Sequence, residues 1–356
     1  MSLSADDKTA SVAAGAAREA RVTLRYSLVV LLLLTVFMLV VMVASSLLGS
    51  ERLPVTATLC AIFTGGRGAC ELTSIESAII FGVRLPRIAL AATVGASLAA
   101  AGSGYQALLR NPLAEPYLLG ISNGAAVGTM IALVFFGTGD TAEWSRPVMA
   151  FAGALCATFL VYRLARGRAG TSPERLILAG VIVTTFLSSV IVFVTTLMDA
   201  TRIRSFTFWL LGDLSGSTAQ MLTIAVVAAL FGVIVLSMNA RSLNLMMLGE
   251  RDAFDLGVEV ERVRLTVFLV ASLLVGASVA SSGSVGYVGL VVPHLVRLSV
   301  GSDNRLTIPA AALAGASFVI IADTVARTVI APRELPVGAI TALIGAPLFI
   351  YLLRRG

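Results

Sequence analysis

Residues Leu28–Leu48 read LVVLLLLTVFMLVVMVASSLL, a run of twenty-one residues without a charge. About 20 apolar residues is the length an α-helix needs to cross the hydrocarbon of a bilayer, where each backbone group must be satisfied within the helix. The run is too long for a signal-peptide core and no small-residue cleavage site follows it, so it predicts a retained first span. Working outward, nine further apolar runs follow: Ile88–Leu109, Tyr117–Gly137, Pro147–Tyr162, Leu176–Met198, Met221–Met238, Leu265–Ser282, Gly286–Val300, Leu306–Val329 and Pro336–Leu353. The fourth and eighth are short. The expected fold class is therefore all-α, a polytopic membrane protein of about ten transmembrane helices. Residues 1–24 are rich in Ala, Ser and Asp and predict a disordered cytoplasmic tail ahead of a single transmembrane domain over 25–356.

Composition agrees. Of 356 residues, 57% are hydrophobic and 13% charged, and the mean hydropathy is +0.94. Soluble domains carry roughly 25% charge, so a water-soluble enzyme, a disordered chain and a nucleic-acid-binding domain are excluded. All basic residues except Lys8 are arginine, and no G-x-x-x-x-G-K-[ST] phosphate loop exists, so the chain is no P-loop ATPase by itself. With both termini in the cytoplasm, seventeen basic residues fall in inside segments and nine outside, as the positive-inside rule favours. Cys60 and Cys70 share the longest outside loop, an arrangement open to a disulfide and to two free thiols.

The decamer Val94–Ser103 (VGASLAAAGS) returns as Val275–Ser284 (VGASVASSGS), identical at seven positions, and Val83-Arg84-Leu85 returns upstream as Val263-Arg264-Leu265. A repeat displaced by five spans is inverted across the membrane. Inverted repeats mark transporters, with the pathway at the repeat interface. Small-residue helices also resemble one another because Gly, Ala and Ser permit close packing, and the matching flanks favour a true repeat. Charges inside the spans are few. Asp323 and Arg327 stand four apart on one helix face as an ion pair, and Gln106 is polar but uncharged. No relay of Asp, Glu or His and no cluster at metal-ligand spacing crosses the bilayer. An ion-coupled secondary transporter of a small solute, the alternative reading, lacks its ion ligands. So apolar a pathway suits a bulky solute with masked charge, such as a metal chelate. His294, the single histidine, follows Pro293; it reads as a polar partner at a helix end, against a base for an intramembrane hydrolase that has no evident nucleophile motif.

Ordered blocks along the chain carry a family resemblance: Arg84-Leu85-Pro86-Arg87, Gln106–Pro116 (QALLRNPLAEP), Leu119–Ala125 (LGISNGA), Leu248-Gly249-Glu250 with Leu256-Gly257, Gly289–His294 (GLVVPH), Asp323 through Arg327, Glu334–Gly338 (ELPVG) and Gly345-Ala346-Pro347. With them the chain resembles, from the first span to the C-terminus, the FecCD-type permeases of bacterial type II ABC importers, which take up iron–siderophores, haem and vitamin B12. The resemblance implies a permease of the bacterial inner membrane, both termini cytoplasmic, importing a metal chelate and performing no bond chemistry. It implies no cofactor on this chain, with ATP and Mg on two cytoplasmic ATPase subunits, a second permease copy as a homodimer, a periplasmic substrate-binding protein, surrounding lipid and no nucleic acid. The loop 239–264 becomes the ATPase-coupling loop, with Leu248, Gly249, Glu250, Arg251, Leu256 and Gly257 at its centre; its mixed charges and apolar insertions suit a soluble partner. Arg84, Arg87 and Arg327 become the docking residues for the binding protein, with Arg333 a lesser candidate. Asn111 and Leu113, with Thr171 and Ser172, become the cytoplasmic gate; turn chemistry alone also accounts for these residues.

Overall fold

Small residues set how closely the helices approach. A Cβ placed on Gly95 would strike the Gly315 carbonyl and one on Gly315 would strike that of Gly95; Gly124 and Gly153 are related in the same reciprocal way. Backbones that touch like this gain dispersion contact and need no long side chains between them. The stretches that read as a repeat are thus also the stretches that let helices sink into one another.

The computed structural model describes residues 23–355, apart from 50, 52, 67–69, 71, 137–141, 168–169 and 217. The expected tail lies outside the described residues over 1–22. Fourteen helices and no strand are found among the described residues: α1 Leu24–Leu47, α2 Val55–Thr64, α3 Ser74–Leu108, α4 Ile121–Phe135, α5 Ala142–Ala165, α6 Pro173–Thr195, α7 Ala200–Leu210, α8 Ala219–Met238, α9 Ala240–Leu248, α10 Glu250–Asp255, α11 Val260–Ser282, α12 Val288–Val300, α13 Asn304–Thr328 and α14 Val337–Arg355. Seven of them (α1, α3, α5, α6, α8, α11 and α13) are long and apolar enough to cross a membrane. The protein is an all-α, polytopic membrane protein.

Each of the ten apolar runs coincides with a helix, with two differences. The fourth run, short in sequence, belongs to the 24-residue α5, because the polar stretch before Pro147 is helical as well. The third and eighth give helices of 15 and 13 residues. These two helices start inside the bundle, at a shared joint. The Tyr117 hydroxyl donates to the Val285 carbonyl at 2.8 Å and accepts from the Val285 amide at 3.0 Å, and Ser122 Oγ lies 3.2 Å from Ser284 Oγ. Gly120 (φ 75°) and Tyr287 (φ 66°) make the turns in the left-handed region. Backbone groups ahead of α12 thus find side-chain partners on the segment ahead of α4, as non-helical chain buried in a membrane protein must.

α3 is the central post. It is buried along most of Arg87–Leu108 and packs against α13, α11, α8 and α12. Its last turns lie on the first half of α11, where Tyr105 donates to the Phe268 carbonyl at 3.2 Å and pairs with Ser272 Oγ at 2.6 Å. The two repeat copies therefore run in opposite directions. α1 rides on the outside, its apolar side chains largely exposed, fixed to α13 by Ser45 Oγ and Thr324 Oγ1 at 2.6 Å. Cys60 and Cys70 form a disulfide.

Candidate coupling and docking sites

Two charged clusters lie at the two ends of α3, where Arg87 and the Arg110 that follows the helix are about 30 Å apart along it.

At the Glu250 end, α10 begins on Glu250, whose carboxylate pairs with Arg110 at 2.6 Å and with Arg264 at 2.7 Å. Arg264 sits in the first turns of α11. It also holds Glu261 at 2.8 Å and donates to the Thr171 carbonyl. Glu261 in turn accepts from the Thr171 hydroxyl at 3.0 Å. One cluster therefore ties three segments together: the α9–α10 loop, the turn after α3, and the turn before α6. The first turn is built locally. Arg110 takes φ 50°, and the Asn111 side chain accepts from the Leu113 amide at 2.9 Å, leaving Leu113 exposed. At the second, Ser172 caps α6 by accepting from the Arg175 amide at 3.4 Å, while Thr171 is buried. The four residues expected at a gate thus stand in two turns at the same end of the bundle, and the coupling loop joins both.

The loop is amphipathic in a particular way. Ala240, Leu243, Met246 and Ala253 are buried against the body, whereas Leu248, Phe254 and Leu256 are exposed beside the exposed Arg251, Asp252 and Asp255. Large apolar side chains held in water among charges mark a partner surface. α9 is fastened beneath by Asn244, which donates to Asp303 at 2.7 Å and accepts from the Asn304 amide at 2.9 Å. Burial pushes the Asp303 carboxyl up, but hydrogen bonds from Arg305 and Asn244 outweigh this and hold it below the ordinary aspartate value.

At the opposite end the expected docking arginines face inward. Arg84, Arg87 and Arg327 are 4%, 6% and 5% exposed. Arg84 donates to the carbonyls of Ser46 at 2.9 Å and Glu51 at 2.8 Å. Asp323 is shared by Arg87 at 2.9 Å and Arg327 at 3.0 Å, and Arg87 reaches on to the half-exposed Glu334 at 2.8 Å. These guanidiniums are held inside the chain, where they frame this end of the bundle. Sequence periodicity showed the Asp323–Arg327 pair but not Arg87, which arrives from a helix 236 positions away. Arginines left exposed at this end include Arg204, on α7, and Arg333.

Sequence reading also missed Arg264 and Glu261 as more than loop charges, and Arg297 as more than an inside cation. Arg297 turns into the bundle, donating to Gln106 Oε1 and, at 3.1 Å, to the Ser103 carbonyl. The signal for Arg264 was present: it is the repeat partner of Arg84, and both are buried, each ahead of its copy of the decamer.

Comparison with known proteins agrees with this architecture. The family model described as the FecCD transport family matches residues 33–355. The chain is 45% identical to the cobalamin import system permease protein BtuC of Halobacterium salinarum over 78% of this chain and 73% of that one. It is 42% identical to the hemin transport system permease protein HmuU of Yersinia pestis, over 77% and 82%. A solved structure described as an inward-facing conformation of an ABC transporter of metal-chelate type superposes with a TM-score of 0.79 at 31% identity, covering 93% of this chain and all of that one. The family model spans nine-tenths of the chain, the superposition covers as much, and the chain belongs to the FecCD transport family.

Proposed function

We propose that this chain is the membrane-spanning permease subunit of an ATP-binding-cassette importer, carrying a bulky metal chelate of the cobalamin or haem kind from periplasm to cytoplasm. The observation that carries this is the α9–α10 loop. It presents Leu248, Phe254 and Leu256 to solvent and is ion-paired through Glu250 to the turns at the end of α3 and the start of α6. Such a surface suits a soluble ATPase subunit, and its rigid attachment suits the transmission of that subunit's movement. The chain's lack of a phosphate loop leaves ATP and Mg to the partner. The apolar spans and the relatives' cargoes support a chelate whose metal is already wrapped.

On this reading the Glu250 end is cytoplasmic, and the start of α1 and the end of α14 share that side, since α1 ends and α14 begins at the Arg87 end. The excess of basic residues in the segments on that side supports this. A periplasmic binding protein then meets the opposite end, where the exposed Arg204 and Arg333 offer charge for steering, with the buried arginines as the frame behind them. A second copy of the permease completes the pathway.

The test is reconstitution of the chain in proteoliposomes with its ATPase and binding protein, presented with cobalamin, hemin and a ferric siderophore. ATP-dependent uptake of cobalamin or hemin, and no ATP hydrolysis by the chain alone, are expected. Uptake that persists without the ATPase and collapses with a protonophore would overturn the reading in favour of an ion-coupled carrier.

A further inference from the structure

The repeated Val-Arg-Leu triplet places a buried arginine at each end of the bundle, Arg84 and Arg264. Their partners differ in kind. Arg84 is held by backbone carbonyls, Ser46 at 2.9 Å and Glu51 at 2.8 Å. Arg264 shares one carbonyl, that of Thr171, but its charge is balanced by Glu250 at 2.7 Å and Glu261 at 2.8 Å. The side chain of Arg264 is 4% exposed, whereas those of Glu250 and Glu261 are 37% and 49% exposed. A partner can therefore reach the carboxylates but not the cation behind them. Departure of Glu250 would leave the buried guanidinium with Glu261 as its one carboxylate, which is unfavourable, so a displacement of Glu250 draws on Arg264 and the turn it grips.

We propose that Arg264 is the positioning residue that locks the α9–α10 loop to both the Asn111–Leu113 turn and the Thr171–Ser172 turn, so that a displacement of α10 moves both together. Glu250 completes the lock by pairing Arg110, which precedes Asn111. The proposal rests on the reading of α10 as the ATPase docking helix.

The experiment uses the complete transporter in proteoliposomes and measures three quantities: retention of the ATPase on purification, ATP hydrolysis, and substrate taken up per ATP. Arg264→Gln is expected to retain the ATPase while uptake per ATP falls about tenfold. Arg264→Lys, which restores the charge without the planar fork, recovers part of the loss. Glu261→Gln, a milder change on α11 and outside α9 and α10, lowers the same ratio and serves should Arg264→Gln not fold. The ratio is insensitive to the amount of folded protein, so a merely structural role would leave it unmoved. Unchanged uptake per ATP in Arg264→Gln, or in Glu261→Gln where the former does not fold, overturns the proposal. So does loss of the ATPase from a folded Arg264→Gln complex, which would make the residue part of the docking surface. Failure of the unaltered chain to retain the ATPase overturns the docking reading itself, and the proposal with it.

Discussion

Asp323 is 1% exposed and lies between two guanidiniums, those of Arg87 and Arg327. Each buried cation depends on it, so Asp323→Ala is expected to cost about 3–5 kcal/mol, the range for breaking a buried pair. Thermal unfolding in detergent measures this, and a melting temperature equal to that of the unaltered chain would refute the ion cluster as a structural element. Arg84→Ala with Arg87→Ala belongs to the same class and should lower stability. Arg204→Ala with Arg333→Ala should instead leave the melting temperature unchanged and weaken capture of the binding protein, more at low salt than at high. Asp303 makes a separate prediction. Its folded value is depressed by Arg305 and Asn244, so its contribution is present at neutral pH and lost as pH falls below the ordinary aspartate value of about 3.9. Melting temperature followed against pH should flatten in Asp303→Asn over that window.

At the scale of elements, α3 and its neighbours depend on backbone contact. Gly95→Leu would drive a side chain into the Gly315 carbonyl, and overpacking of this kind costs about 1–3 kcal/mol or more. Gly104→Ala meets side-chain atoms instead of backbone, Leu236 at 3.3 Å and Val267 at 3.6 Å, and should be tolerated better. The yield of monodisperse protein in detergent separates the two variants. The joint between α4 and α12 is an equally definite case. Tyr117→Phe deletes both the donor to the Val285 carbonyl and the acceptor for its amide, leaving buried backbone groups unpaired at about 1–3 kcal/mol each. A melting curve indistinguishable from the parent's would show that water replaces the hydroxyl. The glycine-rich decamers were legible as close-packing helices. That the third and eighth spans would stop at a joint within the bundle was not, because a helix pattern fixes the face and not the depth at which a helix begins.

At the scale of the molecule, charge is sorted to the two ends of an apolar bundle, and the ends are built differently. One end closes its arginines onto Asp323, Glu334 and main-chain carbonyls. The other leaves carboxylates half exposed beside the exposed apolar side chains of Leu248, Phe254 and Leu256. The inverted repeat supplies the same triplet to both, so the difference lies in what each arginine meets. A transporter needs this asymmetry if one side is to receive work and the other to receive cargo.

The sequence by itself determined the bilayer as solvent, the ten apolar runs that become helices, the inverted repeat and the family. Those follow from periodicity and run length, which are local. Only the tertiary structure decided which arginines are exposed, that Glu250 joins Arg110 to Arg264, and that the frame at the opposite end hangs on Asp323. Each of these rests on side chains tens to hundreds of positions apart, and in a low-dielectric interior a charge goes where a distant partner can neutralise it.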